Sequence, residues 1–127
     1  MRLLGIDYGR AKIGLALSEG ILAEPYSVIR YGDEEELFEK IKTIVDKEGI
    51  DKAVVGVSEG KSAEEARSFG EKLGSLGIEV TFFDETLSTV SAQELSRQAG
   101  IGRKKRKALE DAFAASVMLQ SFLESNV

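Results

Sequence analysis

The sequence predicts an α/β fold, in which a mixed five-stranded sheet carries helices on both faces. The first observation is a pair of β-type segments, Arg2–Asp7 and Lys12–Leu17, whose short connection Tyr8–Ala11 is typical of a hairpin. The second is that later apolar strands alternate with amphipathic helices, an order that requires parallel pairing. A chain of 127 residues is long enough for one hydrophobic core, so we expect residues 1–127 to form a single domain.

The first half of the chain is expected to hold three strands and one helix. The third strand, Tyr26–Tyr31, follows the only proline of the chain, Pro25. The segment Asp33–Glu48 predicts a helix, because its apolar residues fall on one stripe: Leu37, Phe38, Ile41, Ile44 and Val45. Asp33 is a natural N-cap, the acidic residues that follow it suit a helix N-terminus, and Gly49 suits the C-terminal end.

The second half alternates strands with helices. The expected elements are a strand at Ala53–Val57, a helix at Ser62–Leu76, a strand at Ile78–Phe83, and helices at Ser88–Ala99 and Lys107–Glu124. The complete order is therefore β-β-β-α-β-α-β-α-α. Antiparallel strands followed by parallel crossovers in this order are compatible with a ribonuclease-H-like fold.

Two absent residue types restrict the possible chemistry. Without cysteine the chain has no disulfide, no thiol nucleophile and no cysteine zinc site. Without histidine it has no Ser-His-Asp triad and no histidine metal ligand. Any active site must therefore use carboxylates, lysine, arginine, tyrosine, hydroxyl groups or a metal ion.

The net charge and the absence of targeting signals limit the kinds of partner that the protein can have. No signal-peptide pattern or apolar stretch of about 20 residues is present, so we expect a cytoplasmic protein with no membrane partner. The net charge of −5, from 17 basic and 22 acidic residues, counts against a nucleic-acid binder. However, the unbroken basic run Arg103–Lys107 can make one face positive despite the negative total.

Carboxylates stand at the predicted ends of three elements. Asp7 ends the first strand, Asp84 and Glu85 follow the fifth, and Glu110 and Asp111 lie early in the last helix. Ligands of open α/β sheets gather at strand ends, so these acids could meet at one edge. Their mutual repulsion would be relieved by Mg²⁺ or Mn²⁺, which prefer oxygen ligands. Two such ions about 4 Å apart can promote the attack of water on a phosphodiester.

Each acid also has a simpler explanation. Asp7 can cap the turn after its strand. Asp84 can cap a helix, with Glu85 solvated. Asp111 can pair with Lys107, four residues earlier on the same helix. Spacing alone leaves these alternatives open for each acid. The three positions together support a common site more strongly, because all of them are predicted to face one edge.

Three stretches together resemble the YqgF family: "GIDYGRAKIGLALS", "DETLST" and "RKKRKALEDAFAASVMLQSFLES" occur in its order and spacing. Its members are bacterial ribonuclease-H-like proteins, described as Holliday junction resolvases and as nucleases that mature the 5′ end of pre-16S ribosomal RNA. The resemblance covers almost the whole chain and implies that Asp7, Glu85 and Asp111 are the catalytic, metal-binding carboxylates. Asp84 and Glu110 suit this role less, since adjacent side chains point to opposite faces of a strand and about 100° apart on a helix.

Basic residues around this site are expected to contact the phosphates of nucleic acid. The resemblance implies this role for Arg10, Lys12, Arg103, Lys104, Lys105 and Arg106. A solvated charged surface is the simpler alternative for the basic run. The chain departs from the family after the fourth strand, where "VVGVSEGKSAEEA" lacks the usual proline and shortens the loop at Ser58–Lys61. Thr86 and Ala11 replace basic residues of the family, so the positive rim is thinner although the proposed ligands remain.

The resemblance implies a metal-dependent endonuclease that uses Mg²⁺ or Mn²⁺ to hydrolyse phosphodiester bonds in structured nucleic acid. Processing of the 5′ end of pre-16S rRNA in ribosome biogenesis is the first expectation, with pre-rRNA as the partner. Cleavage of Holliday junctions, a branched DNA, is the second, and it would require two sites and hence a homodimer instead of a monomer. A non-catalytic RNA- or ribosome-binding module and an actin-like phosphotransferase are the other classes, although 127 residues leave room for only one of the two domains that such a phosphotransferase needs.

Overall fold

The computed structural model describes residues 1–9, 11–57, 61–84 and 110–125. Its strands form one mixed sheet in the order β3-β2-β1-β4-β5. They are β1 Arg2–Asp7, β2 Lys12–Glu19, β3 Ala23–Arg30, β4 Lys52–Val57 and β5 Val80–Asp84. The strands β1, β2 and β3 pair antiparallel, whereas β4 lies parallel to β1, and β5 lies parallel to β4. This arrangement confirms the predicted mixed sheet.

Three helices lie within the described residues: α1 Glu34–Glu48, α2 Lys61–Ser75 and α3 Glu110–Ser125. Helix α1 begins as predicted, because the Asp33 carboxylate accepts hydrogen bonds from the backbone N–H of Glu35 (2.7 Å) and Glu36 (3.4 Å). It ends at Gly49, whose φ of 64° is a left-handed conformation that glycine adopts readily. The helix predicted at Ser88–Ala99 lies outside the described residues. No helix in the described part of the chain is long and apolar enough to span a membrane.

The sheet has a hydrophobic layer on each face, because successive strand residues alternate between the two sides. Helices α1 and α2 cover one face; the core there includes Leu4, Ile6, Ile13, Leu15, Leu37, Ile41, Val55, Phe69 and Leu73. Helix α3 covers the other face with a smaller core of Leu3, Ala16, Val54, Ala115, Met118 and Leu119. The prediction of helices on both faces is therefore confirmed.

The third strand is longer than predicted. The sequence pattern indicated Tyr26–Tyr31, whereas β3 begins at Ala23 and includes Pro25. Pro25 pairs with Ala16 at an irregularity in the β2–β3 ladder. Proline is tolerated here because β3 is an edge strand and because its missing N–H falls where the pairing is interrupted.

Helix α3 approaches β2 very closely at Gly14. A side-chain carbon at position 14 would overlap the backbone carbonyl of Asp111 and would lie 2.9 Å from the backbone nitrogen of Ala112. Only glycine leaves room for the first turn of α3 at this distance. The small residues Gly5 and Ala16 lie on the same face of the sheet, where α3 packs over β1 and β2.

The turn between β1 and β2 is held by aromatic residues. The Tyr31 hydroxyl donates a hydrogen bond to the Gly9 carbonyl (2.5 Å), and the Tyr31 backbone N–H donates to the Ala11 carbonyl (3.1 Å). The Tyr8 ring packs against Phe69 of α2, with 4.9 Å between the ring centroids. Burial raises the pKa of Tyr31 above its ordinary value, and the neighbouring Tyr8 hydroxyl raises it further. The backbone after the first strand is thus fixed by groups on the α1–α2 face.

We predict that Gly14→Ala lowers the free energy of unfolding by at least about 2 kcal/mol, because the new methyl group overlaps backbone atoms that cannot turn aside. Urea denaturation measures the effect. Gly74→Ala is the matched control: position 74 lies in α2 with open space around it, so alanine should stabilise by up to about 1 kcal/mol. Equal effects of the two substitutions would contradict the close contact at Gly14.

We also predict that Tyr31→Phe destabilises the protein by about 1 kcal/mol at pH 7, through loss of the hydrogen bond to Gly9. Because the pKa of Tyr31 is raised in the folded state, its contribution is complete below pH about 10 and is lost as the pH rises further. The unfolding free energy of Tyr31→Phe should therefore fall less steeply above pH 10 than that of the wild type. Tyr26→Phe is the comparison, because burial and Glu48 also raise the pKa of Tyr26, but away from this turn. An unchanged alkaline slope in Tyr31→Phe would contradict the assignment.

Candidate active site

The ends of the parallel strands β1, β4 and β5 lie at one edge of the sheet. Asp7, Gly56 and Phe83 are register partners and form a row across these strands. The Phe83 ring packs edge-to-face on Phe122 of α3, with 5.8 Å between the centroids. Since register partners share a face, the half-buried side chain of Asp7 lies on the α3 side of the sheet.

Gly14 connects Asp7 to Asp111. The antiparallel register places Gly14 opposite Asp7, at a Cα–Cα distance of about 4.5–5.5 Å for such pairs. Gly14 in turn lies directly beneath the backbone of Asp111 in the first turn of α3. Two of the three predicted carboxylate residues are therefore brought to one corner of the sheet, although they lie more than a hundred positions apart in the chain. This corner consists of the end of β1, the start of β2 and the first turn of α3.

Lys12 lies at the same corner. Its ammonium nitrogen is 3.0 Å from Oδ2 of Asp111, and the two side chains are 43% and 33% exposed. Lys12 occupies the same face of β2 as Gly14, two positions earlier, so the ion pair crosses from β2 to the first turn of α3. The sequence had suggested Lys107 as the simplest partner of Asp111, and Lys107 lies outside the described residues.

The two neighbouring acids are placed differently. Glu110 is exposed, whereas Asp111 is half-buried against β2. Asp84 is the register partner of Val57, which belongs to the core beneath α1 and α2. Asp84 and Asp7 therefore occupy opposite faces of the sheet.

The remaining predicted site residues fall outside the described part of the chain. They are the third carboxylate, Glu85, and the basic residues Arg10, Arg103, Lys104, Lys105 and Arg106. Residues 58–60 of the shortened loop fall outside it as well. Within the described ranges, no three His, Cys, Asp or Glu side chains are grouped closely enough to hold a metal ion.

The groups at the corner fit a hard divalent cation. Asp7 and Asp111 supply carboxylate oxygens from two separate elements, which is the donor type that Mg²⁺ and Mn²⁺ prefer. A cationic group already lies beside Asp111 in the form of the Lys12 ammonium. The chain has no His or Cys that could favour a softer metal.

Sequence reasoning missed two contacts that shape this corner. The Lys12–Asp111 pair depends on how α3 packs across the sheet, and no local spacing reveals it. The hydrogen bond from Tyr31 to the turn depends on the position of β3 beside β2. The glycine in "KIG" was the available signal, since a glycine within a strand often marks a close backbone approach.

Comparison with known proteins assigns the chain to a family. A relative from Anaeromyxobacter sp. (strain Fw109-5), named "Putative pre-16S rRNA nuclease", is 41% identical over 133 residues, covering 98% of this chain and 97% of the relative. Among solved structures, Thermus thermophilus RuvC with a Holliday junction substrate has a TM-score of 0.65 at 13% identity, over 98% of this chain and 96% of that one. The fowlpox virus resolvase bound to Holliday junction DNA has a TM-score of 0.64 at 11% identity, covering 100% and 99%.

The two structural likenesses confirm the ribonuclease-H-like fold. The model of the RuvX family, described as "Holliday junction resolvase", matches residues 1–125. The chain therefore belongs to the RuvX family, which the sequence motifs had indicated under the name YqgF.

Proposed function

We propose that this protein is a metal-dependent nuclease of the cytoplasm that hydrolyses phosphodiester bonds in pre-16S rRNA and so processes its 5′ end. Its family and the name of its relatives support this function. The structural observation that supports it most directly is that Gly14 lies opposite Asp7 and beneath the backbone of Asp111, whose side chain pairs with Lys12.

Asp7 and Asp111 would hold the cation, with Glu85 as the third ligand. Glu85 is proposed on the family resemblance, through its place in the motif "DETLST". A bound Mg²⁺ or Mn²⁺ would supply an activated water and neutralise charge on the phosphodiester. Asp7 is held in place by the ladders on both sides of β1, and Asp111 by the first turn of α3.

Basic side chains would bind the substrate. A protein with a net charge of −5 needs a local positive rim to attract a phosphate backbone. We assign this role to Arg10 and Lys12 around the first turn and to the run Arg103–Arg106 before α3. These residues would orient the RNA, while the carboxylates would hold the metal ion at the site of cleavage.

Holliday junction cleavage is the second candidate function, and the description of the matching family favours it. The metal chemistry at a phosphodiester hardly depends on the 2′-hydroxyl, so the carboxylate site serves either substrate. A resolvase must cut two strands, and it would therefore act as a homodimer with two sites. A monomer in solution would favour the pre-rRNA substrate.

We predict that Asp7→Asn and Asp111→Asn each reduce cleavage by more than about 100-fold, because loss of a ligand should exceed the 10–100-fold effect of outer-shell residues. The assay uses pre-16S rRNA 5′ fragments and four-way DNA junctions, with Mg²⁺ or Mn²⁺. Chelation of the metal with EDTA should abolish activity on the preferred substrate. Asp84→Asn and Glu110→Gln are matched controls, since they remove adjacent charges that lie on another face or in solvent.

The two controls should retain activity within about threefold of the wild type, as expected for surface substitutions. Equal losses in controls and test variants would contradict the assignment of the ligands. Binding of RNA without cleavage, unaffected by Asp7→Asn or Asp111→Asn, would instead identify a non-catalytic binding module.

A further inference from the structure

The Lys12–Asp111 ion pair joins two residues that were predicted for different tasks. Asp111 is a proposed metal ligand, and Lys12 is a proposed phosphate contact. Their side chains meet at 3.0 Å, so one oxygen of the carboxylate already has a cationic partner. The pair also connects β2 to α3 directly beside Gly14, where the helix lies closest to the strand.

We propose that Lys12 competes with the divalent cation for Asp111, and this proposal rests on the metal-dependent function inferred above. In the metal-free protein the Lys12 ammonium neutralises the Asp111 carboxylate, and a bound cation displaces it. The reason is electrostatic: an ammonium and a doubly charged ion repel each other strongly when they share one carboxylate. The Lys12 ammonium and the divalent cation therefore cannot both contact Oδ2 of Asp111.

Such competition would solve a problem of the metal-free fold. Asp7 and Asp111 are held at one corner by backbone contacts that do not depend on a metal. The Asp111 carboxylate is partly removed from water, and such a charge destabilises the fold unless positive charge is near. Lys12 supplies that charge from within the chain, on a side chain that is 43% exposed and can therefore swing away from Asp111 without crossing the core.

The experiment compares Mn²⁺ affinity in wild type, Lys12→Met and Lys12→Arg, using the electron paramagnetic resonance signal of free Mn²⁺. Lys12→Met should bind Mn²⁺ roughly three- to tenfold more tightly, the range set by a partly exposed charge pair that faces a divalent ion. Lys12→Arg keeps the positive charge and should stay within about twofold of the wild type. Higher salt should reduce the difference, because exposed charges are screened.

Lys40→Met is the matched control. Lys40 forms a similarly exposed ion pair with Glu36 (2.9 Å), but within α1. Its loss should leave Mn²⁺ affinity unchanged. Thermal unfolding with increasing Mn²⁺ provides a second readout, since a cation that binds only the folded state raises Tm, and raises it more at a given concentration when it binds more tightly. Lys12→Gln repeats the test should Lys12→Met fold poorly.

The outcomes separate this proposal from the proposed function. Mn²⁺ binding that is lost in Asp7→Asn but unchanged in Lys12→Met would overturn the competition and leave the metal site standing. Weaker binding in Lys12→Met would also overturn it, because Lys12 would then position Asp111 for the metal. A wild-type protein that binds no Mn²⁺ would overturn the metal-dependent function itself. The competition is supported if Lys12→Met binds Mn²⁺ more tightly than the wild type, whereas Lys12→Arg and Lys40→Met do not.

Discussion

The contact between Gly14 and the backbone of Asp111 is the constraint on which the rest of the candidate site depends. It fixes how closely α3 lies against β2, and β2 in turn fixes Asp7 through the antiparallel register. A backbone contact of this kind leaves little freedom to slide, because protein interiors are packed as densely as organic crystals. The relative position of the Asp7 and Asp111 backbones is therefore set by the main chain.

Contacts on both faces of the sheet determine the structure of this corner. On one face, Tyr31 and Tyr8 hold the β1–β2 turn against the larger core. On the other face, the small residues of β1 and β2 admit α3, which brings Asp111 over the strands. Asp7 stands at the boundary, in a strand secured from both sides. The Lys12 ammonium pairs with the Asp111 carboxylate at this corner, so one ion pair links the packing of α3 to the electrostatics of the site.

The sequence predicted the mixed five-stranded sheet and both helical layers, because hydrophobic periodicity and the order of elements along the chain restrict the possible topologies. The N-cap at Asp33 was equally clear, since its signal is local. The start of β3 was wrong, because Pro25 indicated a boundary, whereas a bulged edge strand accommodates it. The partner of Asp111 could not be foreseen, because it lies on another element whose approach depends on packing. The catalytic roles of Asp7, Glu85 and Asp111 stay predictions, as do the phosphate contacts of the basic residues.

Helix α3 has a consequence for the order in which the molecule can be completed. It is the last described element of the chain, yet it packs on β1, β2 and β3, which are synthesised much earlier. The Gln120 side-chain amide, for example, donates a hydrogen bond to the Ile21 carbonyl (3.0 Å) across 99 positions. The face of β1, β2 and β3 that α3 packs on therefore lacks this cover until residues 110–125 have been synthesised. Contacts of such sequence separation slow folding and prolong the exposure of that face to aggregation.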